Sequence, residues 1–251
     1  MAGHSHSANI AIRKGKQDRI RANVFAKLSK NIMVAARKGP DPDSNFGLRH
    51  AIELARAQSM PRDKIDHAIK KGAGLIEGVR MTEITYEGYG PGGVAFIVEA
   101  LSDNLNRTRP EVVRIFETSG AKLGATNSVL WMFKRRGVIT LKTSLIPEEQ
   151  LMDLVLEAGA EDLSTFSETY EILTGIESFE AVRKALAAKE LTPDSAEMRF
   201  LPDNPIEADL STAKKVLALV ERLDEHDDVS AVHHSMKITD ELIAALKASP
   251  E

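Results

Sequence analysis

The chain has 251 residues, 43% hydrophobic and 28% charged, with 33 Lys+Arg, 37 Asp+Glu and a formal net charge of −4. That apolar content supports a core and excludes wholesale disorder. The absence of cysteine excludes disulfides, thiolate metal sites and cysteine nucleophiles.

The total charge conceals a partition. Residues 1–76 carry 15 Lys/Arg and 6 Asp/Glu, a net of +9, whereas residues 77–251 carry 18 and 31, a net of −13. A basic module joined to an acidic body points to a polyanionic partner. The opening Met1-Ala2-Gly3-His4-Ser5 lacks the apolar run of a signal peptide. No apolar run reaches membrane-spanning length. The expectation is a cytoplasmic protein with no membrane partner.

In chain order, a helix is predicted over Lys16 to Lys38, capped by Asp18. Ile20, Val24, Leu28, Ile32 and Ala35 recur at helical spacing on its apolar face. Lys16, Arg19, Asn23, Lys27, Lys30 and Arg37 form a basic stripe on another face, which Arg21 does not join. A second helix is predicted from Asn45 to Gln58. A third starts at Pro61 and runs to Lys71, stopped by Gly72 and Gly74.

The period then changes. Glu83 to Glu87 alternates as a strand, Gly88 to Gly93 is turn chemistry, and Val94 to Leu101 is apolar on both faces, as a central strand would be. These two strands are expected to pair as a hairpin. Thr108 and Glu111 read as a capping box for a helix ending at Thr118, followed by a strand over Ser128 to Phe133. From Gly137 the order is strand (Val138–Lys142), helix (Pro147–Ala158), strand (Thr169–Leu173), helix (Ser178–Ala188) and strand (Ala196–Phe200). A helix over Ser211 to Leu223, a strand over Val229 to His234 and a short terminal helix close the chain. The mixture predicts α+β layers.

Little of this pattern is catalytic. The Gly88–Gly93 loop contains G-x-G-x-G-G, but it joins strand to strand, whereas a phosphate-cradling loop leads into a helix. His4 and His6, and His233 with His234, lack the spacing of a metal site. The acidic pairs Glu148-Glu149, Glu161-Asp162 and Asp227-Asp228 fall at predicted helix ends or turns, where solvated charge is the ordinary reading. There is no G-x-S-x-G elbow and no Walker motif. The expectation is a non-enzymatic protein with no cofactor, no metal and no small-molecule substrate.

The basic stripe is the strongest signal. Residues 1–40 hold nine Lys/Arg and one acid, Asp18. Such one-sided charge repels itself unless a polyanion relieves it. Arg13, Lys14, Lys16, Arg19, Lys27, Lys30 and Arg37 are the candidate nucleic-acid contacts, and Lys70 and Lys71 extend that surface. Phe25 is the one aromatic near the stripe, so phosphate contact is expected there rather than base stacking. Beyond Arg62 and Lys64 the second and third helices offer little base-reading chemistry. The partner is DNA, or alternatively ribosomal RNA on the ribosome.

Several strings carry a resemblance. Met1 to Ser5, Asn9-Ile10, Arg13-Lys14, Met60-Pro61, Ala68-Ile69-Lys70-Lys71-Gly72, the run Tyr86 to Gly93, Asp103-Asn104, Asn106-Arg107 and Ala158 to Asp162 together resemble the YebC family over essentially the whole chain. The resemblance implies a probable DNA-binding transcriptional regulator. Mitochondrial relatives are translational activators, and a ribosome-linked role has been proposed for the family. It also implies an α+β, multidomain architecture: an N-terminal three-helix domain, then two α+β domains of ferredoxin-like type, the third inserted in the second. The expected boundaries are 1–76, 77–135 plus 203–240, and 136–202. The chain departs from the family pattern at His6-Ser7, where Lys-Trp is usual, and at Pro110 and Asn127.

Overall fold

The computed structural model describes residues 17–76, 81–166 and 168–248. Three helices come first: α1 (Gln17–Ala36), α2 (Phe46–Ala57) and α3 (Arg62–Gly72). Their shared core is Ile32, Ala36, Leu48, Ile52, Ala55, Met60, Ile65 and Ala68, with Phe25, Leu28 and Met33 packed against it. Asn45 ties two of the helices together. Its side chain accepts from the Leu48 amide, capping α2, and donates to the carbonyls of Ala35 and Gly39 at the end of α1. Asp18 and Pro61 sit differently from expectation: α1 already includes Asp18, and Pro61 is the residue before α3. Gly72 closes α3 against α1, where an added Cβ would lie 2.2 Å from the Met33 carbonyl oxygen.

The next segment builds β1 (Thr82–Tyr89), β2 (Ala95–Ser102), α4 (Leu105–Thr118) and β3 (Lys122–Leu123). The chain then crosses to a second sheet through β4 (Phe133–Lys142), α5 (Glu148–Glu157), β5 (Ala160–Phe166), β6 (Thr169–Thr174), α6 (Phe179–Ala188) and β7 (Ser195–Pro202). It returns through α7 (Leu210–Asp224), β8 (Val229–His234) and α8 (Asp240–Ala248).

The first sheet has the order β3-β1-β2-β8 and the second β5-β6-β4-β7. All strand pairs within them are antiparallel. The second sheet, with its βαββαβ order, is a ferredoxin-like unit. It is inserted between β3 and α7 of the first. The α+β architecture expected from the sequence is therefore what the chain forms.

Each sheet buries one face under helices. In the first, Val94, Phe96, Val98 and Ala100 pack on Val112 and Phe116 of α4 and on Ala213, Val216, Leu219 and Leu223 of α7. In the second, Ile139, Leu141 and Ile172 pack on Leu151 and Val155 of α5 and on Val182 and Leu186 of α6. A smaller cluster of Ala95, Ile97, Val129 and Phe133 lies on the other face of β2 and takes in Phe200 of β7, so it bridges the two sheets.

The β1–β2 hairpin and the central place of β2 match expectation, but three details do not. α4 starts at Leu105, because Asn104 caps it by accepting from the Arg107 amide. Thr108 is thus inside the helix, buried, with its hydroxyl turned away from any capping role. Residues 128–132 form a loop and a short 3-10 turn, and the strand begins only at Phe133. β5 had no expected counterpart; it is an edge strand whose single buried residue is Leu163, and Glu161 and Asp162 lie within it.

Candidate nucleic-acid interface

The predicted basic residues separate into three groups. Arg13, Lys14 and Lys16 lie outside the described residues. Arg19 lies on the first turns of α1, within a stretch whose side chains are not described.

Lys27, Lys30 and Arg37 form the second group, and they face the neighbouring domain. Lys27 Nζ donates to the Asp224 carbonyl at 2.7 Å. Lys30 Nζ donates to the Asp227 carbonyl and to Asp228 Oδ1, both at 2.7 Å. Arg37 donates to the Met81 carbonyl. The two lysine side chains are only 19% and 17% exposed. Lys27 and Lys30 therefore fasten the three-helix domain to the end of α7 and the residues just before β8, and Arg37 fastens it to the residue just before β1.

Asp228 is the centre of this junction. It is 3% exposed and collects Lys30, Arg107 at 2.7 Å, the Thr108 hydroxyl at 2.6 Å and the Ser102 hydroxyl at 3.1 Å. Burial alone would raise its pKa. The hydrogen bonds from Lys30, Thr108 and Arg107 outweigh burial and hold the carboxyl well below the usual carboxylate range. Of the Asp227-Asp228 pair, Asp227 is exposed, as the solvated reading expects, but Asp228 is not. Arg107 comes from the Asn106-Arg107 string and also bridges Asp103, which gives that string a structural reason.

The third group faces outward. Lys70 is exposed, and Lys71 lines a shallow groove of about 430 Å³ between α1 and α3 with Ser29, Met33, Lys64 and His67. The one acid in that lining is Asp63. Lys64 Nζ stands 5.5 Å above the Phe25 ring, a cation–π contact that fixes the long side chain. Lys70 and Lys71 end α3, where a cation also complements the helix dipole. Arg62 pairs with Asp66 one turn on, at 3.8 Å.

The glycine-rich loop is a hairpin turn, as its strand-to-strand position required. Pro91–Gly93 forms a single 3-10 turn, and Gly92 adopts a φ of 69° close to Thr212. Gly88 has no room for a side chain: a Cβ would stand 2.6 Å from the Lys122 carbonyl oxygen. Glu87 in the same string is 3% exposed and accepts from the amides of Asn127, Val129 and Leu130 at 2.6–2.8 Å. It pins the following loop, in which Asn127 takes a φ of 63°, a conformation asparagine tolerates.

The histidine pairs do not assemble a metal site among the described residues; His4 and His6 lie outside them. His233 contacts Glu99 at 3.0 Å, and its ring meets Phe200 edge-on at 5.5 Å. His234 faces the other way, beside Phe96, and burial lowers its pKa to about 4. Among the described residues, no helix is long and apolar enough to cross a membrane.

Two family models match the chain in succession: the TACO1/YebC protein N-terminal domain over residues 5–75, and the TACO1/YebC second and third domain over residues 81–236. The chain belongs to the TACO1/YebC family. TACO1/YebC relatives named probable transcriptional regulatory protein include one from Maridesulfovibrio salexigens, 46% identical over 98% of this chain and 100% of its own length. Another, from Chloroherpeton thalassium, is 47% identical over 98% and 99%. The crystal structure of a conserved hypothetical protein from Aquifex aeolicus superposes with a TM-score of 0.83 at 40% identity, covering 91% of this chain and 95% of that one. The TACO1/YebC match divides the chain where its charge changes sign, between the helical module and the two sheets.

Proposed function

We infer that this chain is a non-enzymatic, cytoplasmic regulator that binds nucleic acid through its N-terminal helical module, as a DNA-binding transcriptional regulator. The observation that carries the reading is the charge partition, +9 over residues 1–76 against −13 over the rest. The names of the relatives support a regulatory role. Arg13, Lys14, Lys16 and Arg19 would meet phosphates, as would Lys70 and Lys71 at the end of α3. Lys27, Lys30 and Arg37 take a different role: the two lysines hold the module against the α7–β8 turn and Arg37 holds it at Met81, ahead of β1. The working division is 1–76 for the module, 77–135 plus 203–240 for the carrier and 136–202 for the insert.

A second reading, a translation factor bound to ribosomal RNA, is favoured by one observation. Of the two base-reading candidates on α3, Arg62 faces the acid Asp66 at 3.8 Å and Lys64 stands over the Phe25 ring, which favours phosphate and shape recognition over groove readout. The test is charge reversal of Arg13, Lys14, Lys70 and Lys71 to Glu, with binding to duplex DNA and to ribosomes measured against salt. Loss of each phosphate contact lowers the duplex salt slope by about 0.9. Unchanged binding to both would overturn the reading, and in-cell crosslinking to DNA or ribosomal RNA decides between the two polyanions.

A further inference from the structure

The run Tyr86 to Gly93 and the loop it anchors have a feature that hairpin geometry does not require. Trp131 is 73% exposed and Tyr89 is 41% exposed. A single exposed ring is ordinary, but two large rings brought together on one surface make a patch of the kind that marks contact sites. The two rings do not hang free. Trp131 Nε1 donates to the Ser128 carbonyl at 3.1 Å, and the Tyr89 hydroxyl donates to the same oxygen at 3.3 Å. One carbonyl thus sets the position of both polar tips and leaves the ring bodies outward.

The loop that carries this carbonyl is fixed in turn. Glu87 accepts the amides on either side of Ser128, from Asn127 and Val129, and also that of Leu130. The buried Val129 plugs the loop into the inter-sheet cluster. A preorganised aromatic pair pays little ordering entropy on binding.

The segment that carries the loop is basic within an acidic body. Residues 120–136 contain Lys122, Lys134, Arg135 and Arg136 and no acid. Lys122 is exposed and is the cross-strand partner of Tyr89, which puts an ammonium on the same sheet face as the phenol. Arg136 is engaged by Glu161 and Lys134 by Asp203. Arg135 stands over the Phe200 ring at 5.7 Å.

The geometry points to a second nucleic-acid site on the carrier domain, at which Tyr89 and Trp131 stack unpaired nucleobases and Lys122 meets the adjoining phosphate. The ligand class is single-stranded nucleic acid, since a paired base has no face open to a side chain, and exposed aromatics flanked by cations bind single strands through stacking and charge. This site rests on the nucleic-acid reading above but uses a different domain, so the two can fail separately. The helical module would hold the polyanion by phosphates alone, and the aromatic pair would add a preference for unpaired segments.

The chain has a single tryptophan, so Trp131 reports on its own site. The full-length protein is titrated with ten-nucleotide single strands, as RNA and as DNA of the same sequence, and with a blunt duplex. Expected is saturable quenching of tryptophan emission by a single strand and little by the duplex. Whichever of RNA and DNA binds more tightly identifies the sugar. Trp131→Ala and Tyr89→Ala, read by a labelled oligonucleotide, weaken single-strand binding about tenfold each. Trp131→Phe keeps most of the affinity, because a stacking face remains. Unchanged thermal melting of the alanine variants separates loss of the site from loss of fold. No quenching, or equal single-strand affinity for Trp131→Ala, Trp131→Phe and the parent, overturns the inference. In that event a continued effect of Lys70 and Lys71 charge reversal would leave the helical module's role standing.

Discussion

Lys30 of α1 and Asp228, the residue before β8, meet at 2.7 Å across 198 positions of sequence. The aspartate is 3% exposed and the lysine 17%, so this is a shielded pair joining two domains. Removing one partner of such a pair leaves the other charge uncompensated. Asp228→Ala is therefore expected to destabilise the protein by about 3 kcal/mol, whereas Lys30→Met, which keeps most of the volume and leaves Arg107 on the carboxylate, costs less. Chemical denaturation measures the order. Limited proteolysis at residues 73–81 reads the docking, with faster cleavage expected for Asp228→Ala.

The same carboxyl sets the acid limit of the junction. Its folded pKa lies below the ordinary carboxylate range. Its contribution is thus complete above the unfolded value of about 3.9 and is lost as pH falls below that toward the folded one. Module docking, followed by small-angle scattering, should persist down to about pH 4 and open only in stronger acid. Opening between pH 5 and 6 would show that another group controls it.

Two buried groups should act in opposite senses on stability in mild acid. Burial lowers His234 from 6.5 to about 4. The unfolded chain therefore binds the extra proton, and stability rises with pH across that interval. Burial raises Glu171 from 4.5 to about 7, against an opposing effect of Arg199. The folded state holds the proton here, and stability falls as pH rises across that interval. Each is worth roughly 3 kcal/mol over its full span, as an upper figure. Glu171→Gln should melt higher than the parent at pH 7, with the difference vanishing near pH 4.5. His234→Phe should gain on the parent as pH drops from 6.5 to 4. Melting curves at four pH values distinguish the two slopes.

Gly72 tests the spacing of α1 and α3. An added Cβ would sit 2.2 Å from the backbone carbonyl oxygen of Met33 and 2.6 Å from its Cα. Backbone cannot rotate out of the way as a side chain can. Gly72→Ala is expected to cost about 1–3 kcal/mol through forced separation of the helices, although alanine is the better helix former. A variant as stable as the parent would mean that the two helices slide apart freely.

Much of the architecture was legible because burial imprints a period. The apolar residues of α1 through α3 recur at helical spacing, and β2 reads as central because both of its faces are covered. β5 was not legible: it is an edge strand with one buried side chain, Leu163, so no alternation marks it. The sequence points to the wrong start for α4 because Thr108 and Glu111 imitate a capping box while Asn104 performs the capping. In the candidate interface, the excess of positive charge was visible, but the sorting of its residues was not. Lys27 and Lys30 differ from Lys70 only in what lies opposite them, namely Asp224, Asp227 and Asp228 about 200 positions away. Glu87 was equally hidden, since a lone carboxylate beside glycines carries no sign that three amides will converge on it.

The entry and exit of the inserted sheet have a wider consequence. Phe133, the first residue of β4, and Pro202, the last of β7, are cross-strand partners. The whole intervening segment therefore leaves and rejoins its host at neighbouring points, like a pendant on one clasp. Host and pendant can be exchanged without rethreading either: a short turn replacing the segment would still deliver the chain to α7, and a foreign unit with adjacent ends could be hung in its place. Variation in length among such chains has a ready place to accumulate there, without disturbing the junction at Asp228 or the pinned loop at Glu87.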